Sequence, residues 1–274
     1  MDWIEKGFRG SGIEDGENAD FEKFKEDRFK LFPTVENWEE SPAGLIGFYE
    51  DPEGHPLETP TGKIEYYSQL LADVFPDDKV RGPVAHWIVE GDGHDDRLSS
   101  KRAEKYPFLL VTNHPRWRVH ANHDDVPWFR EISTCKVTGP DGYAYEPVYI
   151  NPADAAELGV VDGDIVGLFN ERGMVLGGVI LSERIMRGAV SQDHGARCDS
   201  IEVGMGGLDR GGANNLICPS ATTSKNCAGE ATNSFLVGVQ KVDVFELAKQ
   251  YPEEFSRTFD PEWGQIFNDY IVEE

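Results

Sequence analysis

Residues 146–195 read EPVYINPADAAELGVVDGDIVGLFNERGMVLGGVILSERIMRGAVSQDHG, and the order of signals along them decides the fold. Pro147 to Ile150 is a short apolar strand. Asn151 supplies a side-chain oxygen as an N-cap and Pro152 occupies the first helical position, so a helix spans 152–158. Gly159 suits the left-handed residue that stops it. Asp162-Gly163-Asp164 is a tight turn, Ile165 to Phe169 a strand, Asn170 to Gly173 a hairpin turn, and Met174 to Leu181 the returning strand. Gly188 precedes one more strand, which ends at Ser191-Gln192-Asp193-His194-Gly195. The whole reads as a compact β-barrel core.

Composition bounds what surrounds that core. The chain has 274 residues, 39% hydrophobic, enough for one large domain or two small ones. Its formal net charge is −24, which repels phosphate backbones and anionic bilayers, so nucleic acid and membrane are not expected partners. No apolar run is long enough to span a bilayer, and the acidic start shows no signal peptide or twin arginine; the expected location is cytoplasmic, the alternative being a targeting segment on another polypeptide. Cys135, Cys198, Cys218 and Cys227 form no C-x-x-C pair and are expected as buried or half-buried free thiols rather than metal ligands.

Outward toward the N-terminus, Pro107 to Thr112 is a continuous apolar run expected as a buried strand. It runs into NHPRWRVHANHDD, residues 113–125, where three histidines, two arginines and two asparagines collect just past a strand end. Arginine forks suit phosphate or pterin oxygens, and asparagine pairs with heterocycle edges. A zinc site lacks the H-E-x-x-H spacing, and a purely structural polar loop is the plain alternative. Residues 81–105 are polar and irregular, with turns at Gly91-Asp92-Gly93. Thr59 to Ser68 holds a Pro/Gly turn, after which Ile64-Glu65-Tyr66-Tyr67 can extend into a strand. Asp20 to Phe32 is a short amphipathic helix candidate through Phe21, Phe24, Phe29 and Phe32.

Outward toward the C-terminus, GMGGLDRGG at 204–212 fits neither a P-loop nor a dinucleotide fingerprint, and its glycines would let backbone approach a flat ligand. Asn214 and Asn215 follow, then a closing strand from Phe235 to Val242 and a charged tail with one helix over 244–251.

Four segments in this order, TPTGKIEYYSQLLAD, LVTNHPRWRVHANHDDVPWFREI, INPADAAELGVVDGD and the 213–242 ending, resemble the C-terminal molybdopterin-dinucleotide-binding domain of the DMSO reductase family of molybdenum enzymes. The segment with Pro127-Trp128-Phe129-Arg130-Glu131 is similar to the subgroup of pyrogallol–phloroglucinol transhydroxylase and the anaerobic catechol dehydroxylases. The resemblance implies a mainly β fold with short helices, a six-stranded double-psi β-barrel over 106–243. An irregular N-terminal extension (1–60, a remnant of preceding domains), a lead-in segment (61–105) and a C-terminal tail (244–274) would flank it. It implies molybdopterin guanine dinucleotide as cofactor, with the molybdenum held by residues outside this chain. The partners implied are the remaining domains of a molybdenum large subunit, and an iron–sulfur small subunit.

Carried over by position, Thr112, Asn113, His114, Arg116, Arg118, His120, Asn122, Gln192, His194, Asn214 and Asn215 are the expected cofactor contacts. They should converge on one open, less acidic face, with Arg118 and Asn215 facing solvent. No catalytic residue and no metal ligand is assigned. The isolated chain is expected to show no turnover of phenols or catechols. The competing reading is a standalone double-psi barrel that binds a protein partner or small ligand without redox chemistry.

Overall fold

A computed structural model describes residues 3–11, 20–29, 36–37, 44–88, 95–124, 126–230 and 234–257. The chain divides into two compact units, Met1–Glu65 and Tyr66–Glu274. The first carries helices α1 (Trp3–Gly10), α2 (Phe21–Asp27) and α3 (Ile46–Glu50). The Asp20 side chain caps α2 by accepting from the Lys23 amide, and Phe8, Phe21 and Phe24 form a small aromatic cluster between α1 and α2. Phe29, expected on the apolar face, is instead 67% exposed, because α2 ends at Asp27. Phe32 and the turn at 91–93 lie outside the described residues.

The second unit begins with α4 (Gln69–Val74), capped by Ser68. Ile64–Tyr67 is not a strand: among the described residues no strand pairs with it, and an unpaired strand has nothing to satisfy its backbone. The strands are β1 (Phe108–Val111), β2 (Val137–Thr138), β3 (Ala144–Tyr145), β4 (Pro147–Ile150), β5 (Ile165–Asn170), β6 (Gly173–Leu181), β7 (Ala189–Ser191), β8 (Ser200–Glu202), β9 (Gly207–Asp209), β10 (Thr222–Ser224), β11 (Cys227–Glu230) and β12 (Phe235–Lys241). The described residues of this unit also form helices α5 (Pro127–Arg130), α6 (Pro152–Leu158), α7 (Val244–Gln250) and α8 (Pro252–Phe255).

Six strands close on themselves in the order β4-β7-β1-β12-β5-β6, the parallel β6–β4 pair returning to the start, with β9 and β8 continuing from β6. This is a six-stranded double-psi β-barrel, as the local signals of 146–195 require. The Asn151 side chain accepts from the Ala153 amide, Pro152 opens α6, and Gly159 stops it at φ 68°. The β5–β6 hairpin pairs Asn170 with Gly173 across a two-residue turn. Period-two alternation sends Val166, Leu168, Val175, Val179, Phe235, Val237 and Val239 into one core, and Ile165 and Leu176 into a second on the opposite face. Each such burial contributes roughly 1.5–3 kcal/mol.

The segment past Asp243 is more than a tail. Val244 is buried in the second core, and Leu247, Tyr251 and Phe255 pack against it, so α7 and α8 cover that face of the sheet. The 204–212 glycines also act otherwise than expected. A side chain at Gly207 would strike the Glu202 carbonyl, and one at Gly211 the Arg197 carbonyl, so these glycines let backbone approach backbone rather than a ligand. Cys135 and Cys198 are free thiols, the first buried and the second exposed, and Cys218 is half-buried.

Candidate functional site: a histidine and asparagine cleft at one end of the barrel

Strands β1 and β7 run parallel, with Val111 beside Ser191, so the segments that follow both emerge at the same barrel end. Their pairing continues past the strands. The Gln192 amide donates to the Val111 carbonyl at 3.2 Å and the His194 amide to the Asn113 carbonyl at 3.0 Å. The Asn113 side-chain amide donates to Ser191 Oγ at 3.1 Å. A third element arrives from β9. Asp209 accepts the Gly212 and Ala213 amides on one carboxylate oxygen, each at 2.8 Å, and so shapes the turn that delivers Asn214 and Asn215. The Asn214 side chain then donates to the Gln192 and Asp193 carbonyls.

These elements enclose a cleft of about 600 Å³ lined by Thr112, Asn113, His114, His120, Ala121, His194, Gly195, Asn214, Asn215, Cys218 and Phe235. No carboxylate, lysine or arginine is among them, which makes the cleft an electrostatic exception in a chain of net charge −24. The three imidazoles sit together, with ring centroids 4.1 Å apart for His114 and His194 and 5.1 Å for His120 and His194. His120 Nδ1 lies 3.1 Å from His194 Nε2. Burial lowers the His194 pKa, and the two neighbouring imidazoles lower it further, so its neutral form is favoured. His120 holds a left-handed backbone at φ 53°, uncommon outside glycine and a pointer to a constrained site.

The eleven residues expected as contacts therefore divide. Thr112, Asn113, His114, His120, His194, Asn214 and Asn215 line the cleft. Arg118 does not face solvent; it is 3% exposed. Its guanidinium donates to Glu146 Oε1 at 2.5 Å, to Asp124 Oδ1 at 3.1 Å and to the His194 carbonyl at 3.0 Å. Lys136 and Arg130 join the same cluster, Lys136 at 2.7 Å from Glu146. Burial alone would lower the Arg118 pKa, but Glu146 and Asp124 outweigh it and the guanidinium stays charged. Asp124 is held well below the usual carboxylate range because Lys136, Arg130 and Arg118 outweigh its own burial. Arg118 thus positions the His194 loop from behind.

Gln192 is fully buried inside the barrel, its amide donating to the Leu176 carbonyl at 3.4 Å, and it does not line the cleft. Arg116 and Asn122 are exposed but line no part of the cleft, since Arg116 leans over the Trp117 ring and Asn122 closes a backbone turn with Val119. A larger cleft of about 760 Å³ near Arg97 and Arg102 is a poorer site, because Arg102 is already committed to Asp96 at 2.9 Å and Glu171 at 2.7 Å.

Comparison with known proteins converges on this region. Residues 108–235 match the family described as "Molydopterin dinucleotide binding domain". This chain carries the molybdopterin-dinucleotide-binding domain of the DMSO reductase family. The dimethyl sulfoxide/trimethylamine N-oxide reductase of Cereibacter sphaeroides is 33% identical over 84% of this chain and 27% of that protein. Trimethylamine-N-oxide reductase 1 of Escherichia coli K12 is 34% identical over 71% of this chain and 22% of that protein. The chain thus spans about a quarter of the length of the curated relatives it matches. Among solved structures, acetylene hydratase from Pelobacter acetylenicus shares the fold at a TM-score of 0.50 and 17% identity, covering 70% of this chain and 25% of that one. These relatives bear out the DMSO reductase family; the narrower resemblance to the transhydroxylase subgroup stays an expectation.

The cleft residues fit the family's cofactor, molybdopterin guanine dinucleotide. Asparagine amides, a threonine hydroxyl and imidazoles offer both donors and acceptors to pterin edges and phosphate oxygens, and no carboxylate in the cleft lining opposes an anion. Among the described residues, no helix is long and apolar enough to cross a membrane.

Proposed function

We propose that Thr112, Asn113, His114, His120, His194, Asn214 and Asn215 hold the pterin and diphosphate of the dinucleotide, and that the chain works as the C-terminal part of a molybdenum large subunit. The observation that carries this reading is the neutral, donor-rich cleft on which three separate segments converge within a strongly acidic protein. Bound molybdenum would supply the redox chemistry. The residues of this chain bind and orient the cofactor, and Arg118 fixes the loop that carries His194. The large subunit would then act as an oxidoreductase or transhydroxylase on phenolic or other small substrates. An iron–sulfur partner subunit and a cytoplasmic location are further parts of the proposal, to be checked by co-purification and cell fractionation.

The test is retention of the cofactor. In the assembled large subunit, the double variant Thr112→Val/Asn215→Ala should lose most of its releasable pterin dinucleotide on gel filtration. The variant's unfolding free energy should change by less than about 0.5 kcal/mol per site, as expected where no buried network is cut. Full retention of the dinucleotide would overturn the assignment.

A further inference from the structure

We propose that His114, His120 and His194 form a binding site for a divalent transition metal of the zinc class, open toward the cleft. The ligand nitrogens of the three side chains all lie within 4.8 Å of one another. One separation, 3.1 Å between His120 Nδ1 and His194 Nε2, is near the edge of a tetrahedral zinc site, which is about 3.3 Å for a metal–nitrogen bond of about 2.05 Å. Spacing along the chain hides the site, because the third ligand comes from 74 residues beyond His120.

The backbone behind the three imidazoles is fixed in advance. The His194 amide donates to Asn113, Arg118 holds the His194 carbonyl, and Gly195 packs directly against the His120 carbonyl. Only the exposed imidazoles of His114 and His120 need to turn to close the remaining gap. Three neutral nitrogens leave a fourth position for water or an anionic oxygen, the arrangement of an open zinc site. They also leave the metal's charge uncompensated, since no carboxylate lines the cleft. The metal and the pterin dinucleotide would share one wall of the cleft, so the metal-bound form belongs to the chain before the cofactor enters.

The experiment uses the metal-stripped, cofactor-free chain, in excess Mg²⁺ to fill weak carboxylate sites. Titration with Zn²⁺ by calorimetry, and with Co²⁺ by visible absorption, should saturate at one equivalent. His120→Ala and His194→Ala should each weaken binding by more than about tenfold, since even the outer partners of a metal site contribute that much. His86→Ala should change nothing, because His86 is exposed, bonds to the Val84 carbonyl and is not part of the histidine cluster. NMR of the unsubstituted chain reads the same site without variants: the imidazole signals of His114, His120 and His194 should shift together on adding Zn²⁺. Absence of saturable binding, persistence of it in His120→Ala/His194→Ala, or shifts confined to other histidines would each overturn the proposal. Because no dinucleotide is present, none of these outcomes depends on the cofactor assignment.

Discussion

The cleft wall and the ion cluster behind it draw on one stretch, residues 112–124, yet they follow opposite rules. In the cleft, Thr112, Asn113, His114 and His120 keep polar atoms available and carry no charge beyond what imidazoles can take up. Behind it, Arg118 and Asp124 are each 3% exposed and, with Lys136 and the fully buried Glu146, form a dense set of ion pairs. The difference teaches that a polar loop near a binding site can be two structures at once. One part faces the ligand, and the other part holds the first in place. Buried charges are tolerated only when paired and hydrogen-bonded, and here the pairing partners are also the backbone carbonyls of the cleft.

Three substitutions sharpen or break this contrast. The largest effect belongs to Arg118→Ala, which strips Glu146, Asp124 and the two carbonyls of their shared donor. A loss of about 3 kcal/mol is expected in urea unfolding, typical of removing one partner from a buried ion pair. A change below 1 kcal/mol would show that Arg118 is not structural and would restore it as a surface ligand. Gly195→Ala comes next. Gly195 has φ +83°, and an added methyl would sit 1.8 Å from the His120 carbonyl oxygen. About 2 kcal/mol of destabilisation is expected, with the His120 and His194 rings driven apart, readable as loss of the close contact between them by NMR.

The smallest effect is that of Asp193→Asn, and it depends on pH. Burial pushes the Asp193 carboxyl up to about 6, and Glu146 adds to the push, from an ordinary value of 3.8. A raised carboxylate favours the protonated native state, so ionising Asp193 costs stability as pH climbs from 3.8 through 6. Asparagine, which never ionises, should therefore stabilise the protein by about 1 kcal/mol at pH 7, discounted for the partly open position. That gain should vanish near pH 4, and melting curves across this window decide it. A gain independent of pH would mean that charge at Asp193 is irrelevant to the cluster.

The sequence made the barrel legible because its signals are local. The cap at Asn151, the Pro152 start, the Gly159 stop and the Asp-Gly-Asp turn each act within a few residues. Ile64–Tyr67 misled because strand formation is decided by a partner, which no local pattern reports. In the site, residue types identified the right region, but orientation stayed hidden. Arg118 meets Glu146 across 28 residues. One signal was available: Glu146 is a lone carboxylate within the buried run Tyr143 to Val148. A carboxylate so placed demands a buried cation, and Arg118 and Lys136 supply it. The resemblance places His194 on the same face as His114 and His120, but no spacing in the chain reports that the rings of 120 and 194 come within hydrogen-bonding distance.

The barrel closes by pairing its first strand with its last, Phe108 opposite Val237. That seam gives the domain a temporal property. While the chain is being synthesised, β1 lacks its β12 neighbour until nearly the entire barrel has emerged, and contacts so distant in sequence form late because of the loop entropy they must overcome. Phe235, one wall of the cleft, belongs to that last strand. No shorter nascent chain contains a finished cleft, so cofactor capture is confined to molecules whose barrel has been made to the end.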